Sequence, residues 1–116
     1  MKRLPQCILA LLLLINFPER AVAIFVATNG SDLNEGTNAK PLATITAALR
    51  KARELRRLND VSIANGICII VKGGVYNVTE AIDIKREDAG TVISLTYIKA
   101  ATDETPVLRG DFAITH

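Results

Sequence analysis

Beyond residue 60 the chain carries no helical periodicity, only short apolar runs set apart by Gly, Asp and Asn. Parallel strands joined through helices need crossovers of about a dozen residues or more. The apolar centres Ile69, Ile84, Ile98 and Leu108 lie 15, 14 and 10 residues apart. That spacing is too tight for strand–helix–strand units and suits the turns of a solenoid, in which each coil rests on its neighbours. No strict sequence motif accompanies it.

Upstream, the run from Ile24 to Thr44 begins with a short β-branched and aromatic stretch, Ile24 to Ala27, which Asn29-Gly30 breaks. Residues 28–43 read as a long polar loop, and Thr44 as the N-cap of a helix. From 45 to 58, Ile45, Ala48, Leu49, Ala52, Leu55 and Leu58 recur at helical spacing and make one apolar stripe. Arg50, Lys51, Arg53, Arg56 and Arg57 occupy the rest, which reads as a solvated face, with Arg50 and Glu54 one turn apart and able to pair. Ile67 to Val71 is a strand buried on both faces. Gly73-Gly74 permits a sharp corner. Further strands are expected at 82–84, around 95–98 within 92–100, and at 106–110, with Phe112 to Ile114 beginning one more.

Residues 1–23 have the form of a signal peptide. Lys2 and Arg3 precede the apolar run Ile8 to Ile15, and Ala21-Val22-Ala23 offers small residues for cleavage. The run is shorter than the roughly 20 residues a membrane span needs. The expectation is a secreted, periplasmic or cell-surface protein beginning at Ile24, with no stable membrane span after cleavage. Removal of this segment leaves basic and acidic residues in equal number, so net charge gives no case for nucleic acid. Cys68 then stands alone within an apolar run, where it is a small buried hydrophobe rather than a nucleophile. The single histidine, His116, leaves a histidine-based triad or metal cluster without its parts.

Asp32, Asn34 and Glu35 offer oxygen ligands suited to Ca2+, although their spacing is not that of an EF-hand. The first reading is nevertheless a structural loop, because Asn, Asp and Ser bond their own backbone in turns, with Ca2+ binding and substrate contact as its alternatives. No other cofactor is indicated. Glu87 and Asp88 are adjacent, point to opposite faces of any strand, and so read as a turn rather than an acid/base pair. Asp83 and Lys85 alternate along the chain and read as solvent-facing. Asn77-Val78-Thr79 and Asn29-Gly30-Ser31 match the glycosylation sequon. Tyr76 and Tyr97 are the only tyrosines and Trp is absent, so aromatic sugar platforms are scarce.

Three blocks carry a resemblance. Val26 to Thr37 with Lys40-Pro41-Leu42-Ala43-Thr44-Ile45 is the first. Ile69-Ile70-Val71-Lys72-Gly73-Gly74-Val75-Tyr76 is the second. Glu87 to Thr91, Thr96 to Ala100 and Pro106 to Gly110 form the third. In this order they resemble the N-terminal region of secreted right-handed parallel β-helix proteins of the pectate-lyase-like superfamily, including glycoside hydrolases. Leu42 stands where that family often has Phe, and Ala89 where it often has Ser. The resemblance implies a mainly β fold: a cap helix at about 45–58 and the first coils of an incomplete solenoid over 24–116. It implies a longer parent that cleaves glycosidic bonds in a polysaccharide, with its catalytic groups on later coils, so no catalytic residue is assigned here and this segment alone is expected to be inactive. The alternatives are a non-enzymatic β-helix adhesin or glycan-binding surface protein, and a truncated gene product.

Overall fold

The computed structural model describes residues 21–110. Residues 1–20 of the expected signal segment 1–23, and the strand expected at 112–114, lie outside that range. The described chain is mainly β, with one α-helix and no closed barrel. Strand β1 (Val22–Val26) leads through a long loop to helix α1 (Ile45–Arg57), then to β2 (Ile67–Val71), β3 (Gly74–Val78), β4 (Gly90–Thr91), β5 (Ser94–Ala100) and β6 (Pro106–Gly110). Short 3-10 turns at Val61–Ile63 and Arg86–Ala89 fill the connections. Val22 and Ala23 belong to β1 and pair with Ile67 and Cys68, so cleavage after Ala23 would shorten the strand to Ile24–Val26.

β1, β2 and β5 lie parallel and in register. Ile24 stands beside Ile69 and Ile69 beside Ile98, while Val26, Val71 and Ala100 form the next row. A second sheet pairs β3 with β6, also parallel, with Tyr76 beside Leu108. β4 folds back on the start of β5 as the one antiparallel pair. One circuit is therefore about 30 residues and uses two strands, each in its own sheet. This corrects the sequence-based spacing. Ile69 and Ile98 are equivalent, but Leu108 belongs to the other sheet and Ile84 to no strand at all. At residues 82–84 the Asp83 carbonyl accepts from Arg53 Nη2 at 2.7 Å, so a helix arginine uses an acceptor that a ladder would need. Ile84 is left exposed.

The corner between β2 and β3 turns on Gly74, whose φ of 126° suits glycine and whose missing Cβ would strike the Thr28 side chain. Tyr76 then closes the interior. Its hydroxyl donates to the Lys72 carbonyl at 2.6 Å, with the Val26 carbonyl 3.2 Å away, and burial pushes its pKa up.

α1 begins where its sequence says it should: Thr44 Oγ1 accepts from the Ala47 N–H at 3.0 Å. It ends at Arg57, and Asn59, just past the cap residue Leu58, takes a left-handed φ of 51° that turns the chain away. Ile45, Ala48, Leu49 and Ala52 are buried against β1 and β2. Leu58, counted with the apolar stripe, is the C-cap residue past the last turn and is exposed.

The two ends of the ladder differ. β1 has its free edge filled by its own loop: the Phe25 N–H donates to Gly36, the Leu42 N–H to Phe25, and the Ala27 N–H to Leu42, at 2.7–2.8 Å. Loop and helix together keep Ile24 at 2 % exposure. At the opposite end, no strand among the described residues pairs the outer edge of β5 over 96–100 or of β6, and Ile98 and Leu108 are 43 % and 51 % exposed. Core truncation should report this difference. Ile69→Ala is expected to lower stability by about 3 kcal/mol in urea unfolding and Ile98→Ala by about 1; equal losses would mean that the β5 rung is not an open end.

Candidate functional site

The polar loop between β1 and α1 is held by its own side chains. Asp32 Oδ1 accepts from the backbone N–H groups of Ala43 (2.9 Å) and Thr44 (3.0 Å), and Oδ2 accepts from the Thr44 hydroxyl at 3.0 Å. Asn34 Nδ2 donates to the Pro41 carbonyl at 2.9 Å. Gly30 packs so closely on Leu42 that a Cβ would strike its carbonyl oxygen. Asp32 therefore caps the residues that enter the helix, while Thr44 caps the helix itself. Of the three residues read as Ca2+ ligands, Asp32 and Asn34 both close the loop, and Glu35 is exposed on it. Among the described residues no three His, Cys, Asp or Glu side chains form a group able to hold a metal ion.

The helix arginines form a solvated face only in part: Arg50 and Arg57 are exposed, while Arg53 and Arg56 are half-buried against the coil beneath. Arg53 makes a bidentate pair with Asp88, Nε to Oδ1 at 2.7 Å and Nη2 to Oδ2 at 2.8 Å. Asp88 is 3 % exposed and also accepts from the Lys85 N–H at 2.8 Å. The Arg53 guanidinium holds the Asp88 carboxyl below the usual carboxylate range, and the arginine is raised in turn. Arg56 donates to Ser94 Oγ (3.2 Å) and Thr96 Oγ1 (2.6 Å), while its buried Nε has no hydrogen-bond partner among the described residues. Ser94 donates to the Ile63 carbonyl. Arg57 pairs with Glu87 at 3.2 Å at the surface, where such pairs contribute little. Glu87 and Asp88 thus diverge to different arginines, as their adjacency implied. These contacts pin α1 to the coil that runs from the 3-10 turn at 86–89 into β5. Sequence reasoning missed them because the partners stand 30 to 40 residues apart. The one available signal was a density of arginine on a single short helix.

Between the first turns of α1 and β3 lies a groove of about 370 Å3. Thr28, Thr46, Arg50, Asn77, Thr79 and Glu80 supply its polar lining, and Val75, Ile82 and Leu108 its apolar part. Nothing in the spacing of these residues announced the groove, which exists only because the glycine corner folds β3 back beside the helix. Cys68 is buried and its thiol pKa is pushed up by burial, which suits an inert packing role. No helix among the described residues is long and apolar enough to cross a membrane.

No family model matches the chain. An uncharacterised protein of Bacillus subtilis strain 168, YwoF, is 31 % identical over 99 residues, covering 74 % of this chain and 18 % of YwoF. Among solved structures, a glycoside hydrolase is 45 % identical with a TM-score of 0.73, over 76 % of this chain and 15 % of that one. The structure of XylC in complex with xylose matches at 29 % identity and TM-score 0.52, over 73 % of this chain and 11 % of that one. A rhamnogalacturonan lyase matches at 19 % identity and TM-score 0.51, covering 22 % of its length, a likeness of fold alone. The chain spans less than a fifth of YwoF and of the glycoside hydrolase. Its fold is one that carbohydrate-active proteins carry.

Two outcomes follow from the side chains above. Asp32→Ala should lower stability by about 1–2 kcal/mol in urea unfolding, and Asp32→Asn by less, because the amide keeps one acceptor oxygen; no loss in either variant would count against the capping role. Asp88 has its folded pKa depressed, so its contribution is complete above the unfolded value of about 3.9 and disappears as pH falls through the lower folded value. Asp88→Asn leaves Arg53 without its carboxylate and should lower stability at neutral pH. Thermal midpoints across pH should show the gap between wild type and variant narrowing below about pH 4. A gap that stays constant on acidification would show that the pair is not the source.

Proposed function

We propose that this chain is the N-terminal cap and first coils of a secreted right-handed parallel β-helix protein that cleaves glycosidic bonds in a polysaccharide, by hydrolysis or elimination. The reading places the protein outside the cytoplasm, in the medium, the periplasm or at the cell surface, after loss of residues 1–23. The observation that carries it is the in-register parallel ladder with one covered end, together with the 45 % identity and 0.73 TM-score to a glycoside hydrolase over most of the chain. A lesser likeness to XylC with xylose supports the same class of substrate, and the rhamnogalacturonan lyase shares the fold alone.

In this reading the segment's own work is structural. Parallel coils stack only if the first is protected, and the loop edge at Gly36 and Leu42 with helix α1 provides that protection. The bond-cleaving carboxylates belong to coils beyond this segment, and the groups described here hold the first coil rigid.

The test is activity of the longest reading frame that contains this chain. Incubated with neutral and acidic plant polysaccharides, the secreted protein should release new reducing ends, with unsaturated products if the cleavage is eliminative. Binding without any product would sink the enzyme reading in favour of a glycan-binding surface protein.

A further inference from the structure

Of the four arginines on α1, three are committed to the coil beneath and one is not. Arg53, Arg56 and Arg57 bond to Asp88, to Ser94 and Thr96, and to Glu87. Arg50 makes no hydrogen bond or ion pair among the described residues, not even with Glu54 one turn away, and it lines the groove against β3. The groove's other polar groups are similarly unspent. Asn77 and Glu80, and the hydroxyls of Thr28, Thr46 and Thr79, have no side-chain partner within the described protein. Asp32 and Thr44, at the groove's loop end, are already satisfied by each other and by the helix entry.

We infer that this groove is a binding site for a neutral saccharide. The inference rests on the carbohydrate reading above and adds a place and a charge class. A sugar hydroxyl both donates and accepts, and the groove presents hydroxyls and an amide that do the same, flanked by a guanidinium that only donates and a carboxylate that only accepts. Val75, Ile82 and Leu108 supply apolar surface for the C–H groups of a pyranose ring. The charge balance selects the class of sugar. One cation, Arg50, faces two carboxylates, Glu80 and Asp32, so a uronic acid would meet net repulsion while a neutral sugar meets none. The groove is open, and a few hydrogen bonds in competition with water predict weak binding.

The experiment is 15N-detected NMR titration of the intact protein with xylotriose as the neutral probe and trigalacturonate as the acidic one. Xylotriose should shift the signals of Arg50, Asn77 and Glu80, with a dissociation constant on the order of 1 mM. Arg50→Ala and Asn77→Ala, both at exposed positions, should each weaken it at least fivefold with the remaining spectrum unchanged. Glu80→Gln should narrow the preference against trigalacturonate. Trigalacturonate binding as tightly as xylotriose, or neither binding to protein whose β-ladder signals are intact, would overturn the inference. Polysaccharide cleavage by the longer protein with no response in the groove would overturn it as well, and would leave the carbohydrate-active reading standing.

Discussion

Everything in this chain depends on covering the row Ile24–Ile69–Ile98. A parallel ladder with an apolar interior is stable only where each rung has a neighbour above and below, because both the backbone groups and the inward side chains face along the stack. Ile69 has both neighbours and is fully buried. Ile24 has a strand on one side only, and loop and helix take the place of the other. Ile98 has a strand on one side and is 43 % exposed. The same gradient runs through the second sheet, from the buried Tyr76 to the half-exposed Leu108. Among the described residues the ladder is thus directional, covered at β1 and without a further strand at β5 and β6.

Closure at β1 is divided between two devices that solve different problems. The loop supplies backbone partners, satisfying Phe25 and Ala27 as a further strand would, through Gly36 and Leu42. The helix supplies apolar surface, with Ile45, Ala48, Leu49 and Ala52 over the interior. Neither suffices alone. A helix cannot bond a strand edge, and a polar loop cannot cover isoleucine. Asp32 joins the two, because its carboxylate binds the residues at which loop becomes helix. The arginines then carry the helix's position one coil further, to Asp88 and to Ser94 and Thr96 at the start of β5.

Local features were legible in the sequence where a local cause fixes them. The Thr44 cap, the Gly73-Gly74 corner and the strands at 67–71 and 106–110 all follow from propensities within a few residues. The coil length did not follow. Apolar centres repeat along a strand-rich chain whether or not they share a sheet, so Ile84 and Leu108 were counted with Ile69 and Ile98 although neither belongs to their row. The helix misled for a related reason. Arginine on an amphipathic helix ordinarily faces water, and only the fold reveals a buried carboxylate at the far end of the coil. The loop was read correctly as polar, yet the work of Asp32 is invisible without knowing that residues 43 and 44 return beside it.

The same asymmetry decides where a ligand can sit without disturbing the stack. Interior rows must stay dry and unbroken, and the edge of β1 is already occupied by its loop. The corner where β3 folds back beside the helix is different. Gly74 places β3 across from the first turns of α1, and the side chains facing each other there belong to separate structural tasks, so they need not be neutralised by one another. Arginines that hold the coil are matched with a carboxylate or with hydroxyls. Arg50, one turn nearer the cap, is surplus to that purpose, and its hydrogen-bonding capacity remains available to something outside the chain. The loop and helix that cover the β1 end of the ladder therefore leave at their margin a patch of uncommitted polar groups whose identity is constrained by chemistry rather than by stability.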